Sequence, residues 1–181
     1  MRKLTINETS DDSIIQIDDQ YMTIIMFEKK DYHNVKELDS LTKTGIYILI
    51  GKEKVYVGQS SNQKGVTTRI KRHYRTKLWW HKAIIIIPKF IMTKAHYDYL
   101  EKTIIMNMNR HGNNLDNKTY GNTSPIVPED QYQAELFLAH VLKTLSQIFH
   151  IDIYHLNQQY YIEHLERTVN QLIAGTLEDY E

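Results

Sequence analysis

A chain of 181 residues is long enough for one domain with its own core, with or without a helical appendage. The sequence has no cysteine, which excludes disulfides, a thiolate nucleophile and any cysteine-based zinc site, and which fits a cytoplasmic setting. Net charge is zero, yet residues 54–97 hold ten Lys and Arg and no acid, whereas residues 129–181 hold nine acids against Lys143 and Arg167. Segregation of this kind is the footprint expected for a polyanionic partner. No apolar run approaches the roughly 20 residues of a membrane span; Ile84 to Ile87 is the longest uniform block. The N-terminus turns polar soon after Met1-Arg2-Lys3, so no signal peptide is expected either.

Along the chain, Ile14-Ile15-Gln16-Ile17 and Met22 to Phe27 flank Asp18-Asp19-Gln20, which predicts two short strands joined by a turn. A polar stretch with a short helix near 33–41 follows. Thr44 to Ile50 and Lys54 to Val57, both rich in β-branched and aromatic residues, form a predicted β-hairpin around Gly51-Lys52-Glu53. Gln59 to Gly65 is a polar loop, with Thr67 or Thr68 as cap of a helix running to about Trp79. The Ile84 to Ile87 run, stopped by Pro88, reads as a buried central strand. Thr93 is the expected N-cap of a helix reaching Gly112, with Leu100, Ile104, Ile105 and Met108 on its apolar side. After a polar, Asn-rich loop over 113–128, Leu138, Val141, Leu142, Leu145 and Ile148-Phe149 keep helical spacing. Ile162, Leu165, Val169 and Leu172-Ile173 repeat it, so two amphipathic C-terminal helices are expected.

Gly45-Ile46-Tyr47, eight further residues and then Tyr56-Val57-Gly58 lie on that hairpin. Arg69 and His73 follow four apart on the next helix, Glu101 lies on the long helix, and Asn122 lies in the loop beyond it. This ordered set, over roughly residues 44–125, resembles the signature of the GIY-YIG nuclease superfamily. The resemblance implies an α/β fold with a small mixed β-sheet, from 44–50, 54–58 and 83–88, flanked by helices. Around that nuclease domain (44–128) stand an N-terminal β-rich extension with its hairpin (1–43) and a C-terminal helical extension (129–181).

It also implies a divalent-metal-dependent endonuclease acting on DNA, leaving a 5′-phosphate and a 3′-hydroxyl. Tyr47 would be the general base, Arg69 would stabilise the transition state, and Glu101 would hold one Mg²⁺ or Mn²⁺. Tyr56 would orient water or phosphate, with His73 and Asn122 completing the site. The residue types suit the chemistry without the family, since phosphodiester hydrolysis needs an activated water and charge on the phosphoryl oxygens. A carboxylate suits a hard cation, and a guanidinium forks onto phosphate. Tyrosine has an ordinary pKa of about 10 and needs nearby positive charge to act near neutrality, which leaves His73 as the competing base or relay. Some relatives carry Lys after the second tripeptide; Gln59 stands there, leaving Lys54 as a substitute charge. Lys54, Lys64, Lys71, Arg72, Arg75 and Lys77 are the residues expected to meet the DNA backbone. The alternative is a nucleic-acid-binding module that does not cut, or a subunit whose acidic C-terminal helices take a second copy or another protein.

Overall fold

A computed structural model of the chain describes residues 14–36, 38–61 and 65–156. The second expected C-terminal helix and Lys64 lie outside the described residues. Alternating apolar residues set the framework: β1 (Ile14–Asp18) and β2 (Met22–Glu28) form the N-terminal hairpin, and β3 (Gly45–Gly51) and β4 (Val55–Ser60) form the second. Both join β5 (Trp80–Pro88) in one sheet of order β1-β2-β5-β3-β4. The expected α/β class, N-terminal hairpin and C-terminal helix are all present. The sheet is antiparallel in every ladder rather than mixed. The physical reason is the strand order: β4 and β5 run in the same direction across the intervening helix, but β3 lies between them. A parallel pairing survives only as the isolated bridge between Val55 and Leu115.

Helices cover both faces. Ile46, Ile48, Val57, Ile84 and Ile86 meet α3 (Lys94–Arg110) and α4 (Pro128–Phe149). Tyr47, Leu49, Ile85 and Ile87 meet the short helix α1 (Tyr32–Val35) and α2 (Gly65–Thr76). Two covered faces explain why the central strand reads as four consecutive isoleucines, each at most 1 % exposed. Each buried isoleucine contributes roughly 2–3 kcal/mol.

Two helix boundaries differ from expectation. α2 starts at Gly65, which has φ +61°, and a Cβ there would sit 2.2 Å from the Thr42 carbonyl oxygen. Thr67 therefore lies inside the helix, donating to the Leu41 carbonyl at 2.7 Å and tying α2 to the preceding turn. The same helix stops at Thr76, because Trp79 folds over Gly51 and Trp80 already belongs to β5. Thr93 caps α3 as expected, with His96 in the reciprocal position of a capping box.

Among the described residues no strand lies beside the outer edge of β4, so its backbone groups need other partners. Val55 exchanges backbone hydrogen bonds with Asn114 (2.9 Å) and Asp116 (2.8 Å). Two residues on, the Asn117 side chain accepts from the Val57 N–H at 3.0 Å and donates to its carbonyl at 2.8 Å. Asn117→Ala should leave both groups unpaired beneath the loop. It should lower stability by about 1–3 kcal/mol, read as a reduced urea midpoint at unchanged slope.

Candidate functional site

The site grows from the end of that edge. Tyr47 on β3 and Gly58 on β4 are directly paired, and the Tyr47 ring lies across Gly58. A Cβ at Gly58 would come 2.4 Å from the Tyr47 hydroxyl, so the glycine of the second tripeptide is there for space. The phenol is thereby directed at α2, where its oxygen is 3.0 Å from His73 Nε2. Tyr56 stands on the same face of β4, with its ring centroid 4.9 Å from His73 and 6.1 Å from Tyr47. The helical spacing of four puts Arg69 one turn before His73, half-buried. Its charge reaches Tyr47, Tyr56, His73 and Glu101.

Glu101 comes from α3, which covers the opposite face of the sheet. It meets the tyrosines only because β4 is the last strand. The next outward-facing backbone group after Val55 and Val57 is at Gln59, and Glu101 takes a hydrogen bond from it. Tyr56, His73 and Glu101 line one open cavity of about 470 Å³ with Arg72, Lys77, residues 116–119, Gly121 and Asn122. Asn122 is exposed at its rim. A larger, mostly apolar cavity of about 540 Å³ between the β1–β2 turn and α4 shares no residue with it.

Burial dominates the electrostatics. It pushes the Tyr47 phenol well above its ordinary range, with Tyr56 adding and Arg69 opposing. Burial, then the charges of Arg72, Lys77 and Arg69, hold the His73 imidazole down at about 4. Its buried Nδ1 has no partner among the described residues, so nothing on that side of the ring stabilises the imidazolium. Tyr47 and His73 thus form a neutral hydrogen-bonded pair at pH 7. Glu101 is pushed up to about 7, first by burial, then by Asp98, with Arg69 opposing.

Of the residues expected to meet DNA, Lys71, Arg72 and Arg75 are exposed on α2. Lys77 instead forms an ion pair with Asp116 and lies 4.3 Å from the centroid of the Tyr56 ring. Lys54 sits 3.8 Å from the same carboxylate. Positive charge on Tyr47 therefore comes from Arg69, not from Lys54. Asp98, Asp116, Asn117 and Gly121 escaped sequence reasoning. Only the 98/101 spacing on one helix face gave any signal. No family model, curated protein or solved structure matches the chain.

Glu101 is a buried carboxylate facing an open cavity, and among the described residues no Lys or Arg pairs with it. No three His, Cys, Asp or Glu among the described residues come together to hold a metal. One carboxylate, with Asn122 on the rim of the same cavity, fits a hard divalent cation that completes its shell with water and phosphate. It does not fit a zinc cage.

Two expectations follow from this geometry. Gly58→Ala should drive the Tyr47 phenol off His73 and destabilise the fold by about 1–3 kcal/mol, read as altered near-ultraviolet dichroism and a lower urea midpoint. Glu101 holds a proton more tightly folded than unfolded, so its favourable contribution is complete below pH 4.5 and is lost as pH rises through 7. His73 works the other way, contributing above pH 6.5 and losing that contribution as pH falls toward 4. Glu101→Gln removes only the first effect. The variant should therefore be more stable than wild type at pH 8 by about 2 kcal/mol, with little difference at pH 4.5, in urea unfolding.

Proposed function

We propose that the chain is a divalent-metal-dependent endonuclease of the GIY-YIG type that hydrolyses DNA phosphodiesters. What supports this is the convergence of Tyr56, His73 and Glu101, from three separate elements, on one cavity beside a cationic helix, with the buried Tyr47 hydroxyl 3.0 Å from His73 Nε2. Glu101 would hold Mg²⁺ or Mn²⁺, which would supply positive charge to the phosphoryl oxygens. Arg69 adds a fixed charge at the same end of the site, where donors already aimed at developing negative charge lower the barrier most. Arg72, Lys71 and Arg75 give the DNA backbone a cationic approach.

The proton path uses the buried pair. Tyr47 Oη accepts a proton of the attacking water while its own proton passes to His73 Nε2 along the 3.0 Å contact; as the new P–O bond forms, the scissile P–O3′ bond breaks and the departing oxygen takes a proton from solvent in the open cavity. In the free protein that transfer is uphill, because the phenol is held high and the imidazole low. The negative charge of an entering phosphodiester opposes the Arg72, Lys77 and Arg69 charges that depress His73, so the acceptor strengthens when substrate arrives. Tyr56, beneath Lys77, orients the phosphate. No helix among the described residues is long and apolar enough to cross a membrane; a cytoplasmic setting belongs to the same proposal.

The test is cleavage of supercoiled plasmid and of branched DNA by wild type, Tyr47→Phe and Glu101→Ala, each with Mg²⁺, Mn²⁺ or EDTA. Metal-dependent cutting by wild type, reduced about 10²–10³-fold or more in both variants, is the expected result. Cutting that survives EDTA, or equal rates in wild type and Glu101→Ala, would overturn it. Salt-sensitive DNA binding without cutting would instead favour a binding module.

A further inference from the structure

We propose that Asp98 is a positioning residue for cleavage, holding the Asn122-bearing loop against Glu101 through Ser124; this rests on the nuclease reading above. Asp98 lies on α3 one turn before Glu101 and is only 1 % exposed. Its carboxylate gathers donors from three parts of the chain. Gln59 Nε2 on β4 donates to Oδ1 at 3.0 Å, and Ser124 Oγ and Lys94 Nζ donate to Oδ2. Lys94 also reaches Ser124 Oγ at 3.2 Å. A buried carboxylate is costly unless it is satisfied. This one is satisfied by the strand that presents its backbone to Glu101 and by the loop that carries Asn122.

The loop has little else to hold it. Among the described residues, no backbone–backbone hydrogen bond outside the regular elements involves residues 117–126. From Asn122 to Ile126 it borders a cavity of about 360 Å³ against α3. Yet Gly121 approaches so closely that a Cβ there would be 3.1 Å from Glu101 Oε2. Side-chain anchors must fix that approach: Asn109 Nδ2 donates to the exposed Tyr120 hydroxyl at 3.3 Å on one side of Asn122, and Ser124 donates to the buried Asp98 carboxylate on the other, one helical turn from Glu101. Free of it, Gly121 and Asn122 would leave the carboxylate without losing any backbone pairing.

The experiment uses the full chain in five forms: wild type, Ser124→Ala, Ser124→Thr, Asp98→Asn and the Ser124→Ala/Asp98→Asn double variant. Limited proteolysis at Lys118 and Tyr120 reads the anchor, and kcat and KM for DNA with Mg²⁺ read its consequence. Asp98→Asn and Ser124→Ala should speed cleavage in the loop about tenfold while leaving the central sheet resistant. Both should lower kcat, Asp98→Asn by about 10–100-fold, as loss of a supporting contact does. KM for DNA should change less than about threefold. Ser124→Thr, which keeps the hydroxyl, should stay near wild type, and the double variant should be little worse than Asp98→Asn. Unchanged loop proteolysis in Ser124→Ala, or faster proteolysis with kcat unaltered, would overturn the proposal. A wild type that cuts no DNA would sink the nuclease reading, and this one with it. If Asp98→Asn fails to fold, the Ser124 pair alone decides.

Discussion

The unpaired outer edge of β4 is the constraint on which the site depends. An edge strand presents its N–H and C=O groups to solvent, and those groups need partners that are not another strand. At Val55 the partner is loop backbone, at Val57 it is the Asn117 side chain, and at Gln59 it is the Glu101 carboxylate. Covering the edge with a loop and a carboxylate, not with a sixth strand, leaves an open cavity there. It also lets groups from opposite faces of the sheet meet: Tyr47 and His73 from the α2 side, Glu101 from the α3 side.

The same arrangement sets the electrostatics. A phenol beside an imidazole could share a proton in water, but burial drives their proton affinities apart and keeps both neutral. Glu101, buried without a cationic partner among the described residues, is held near neutrality in its affinity for a proton. At pH 7 burial reinforces the neutral forms that Tyr47 and His73 already prefer in water, and of the three only Glu101 is held against its solvated preference. On the proposed reading, a cation at Glu101 and a phosphate near Arg69 would offset these charge costs. Asp116 plays a related part nearby. By engaging Lys77 and Lys54 it fixes one ammonium over Tyr56 and leaves the cationic approach to the exposed side chains of α2.

Local chemistry made much of the fold legible from the residues. The hairpin around Gly51, the isoleucine strand ending at Pro88, and the Thr93 cap follow from period, branching and capping, all properties of neighbouring residues. So does the shared helix face of Arg69 and His73. The start of α2 was misread because its determinant is not local. Gly65 is required by the Thr42 carbonyl, which the turn before β3 brings against it. The sheet's antiparallel character was likewise a matter of strand order, which no single strand encodes.

For the site, the sequence by itself determined the residue types and their order: two tyrosines on paired strands, a basic helix with an imidazole, and a carboxylate on the next helix. Only the tertiary structure decided that Tyr47 is buried against His73, that Glu101 caps the β4 edge, and that Asp98 joins Gln59 to Ser124. Gln59, Asp98 and Ser124 are far apart along the chain, and nothing in their local surroundings marks them as partners. Their meeting depends on which segments the sheet edge brings together, and burial there, a collective property of the packed chain, sets the charge states on which any chemistry would turn.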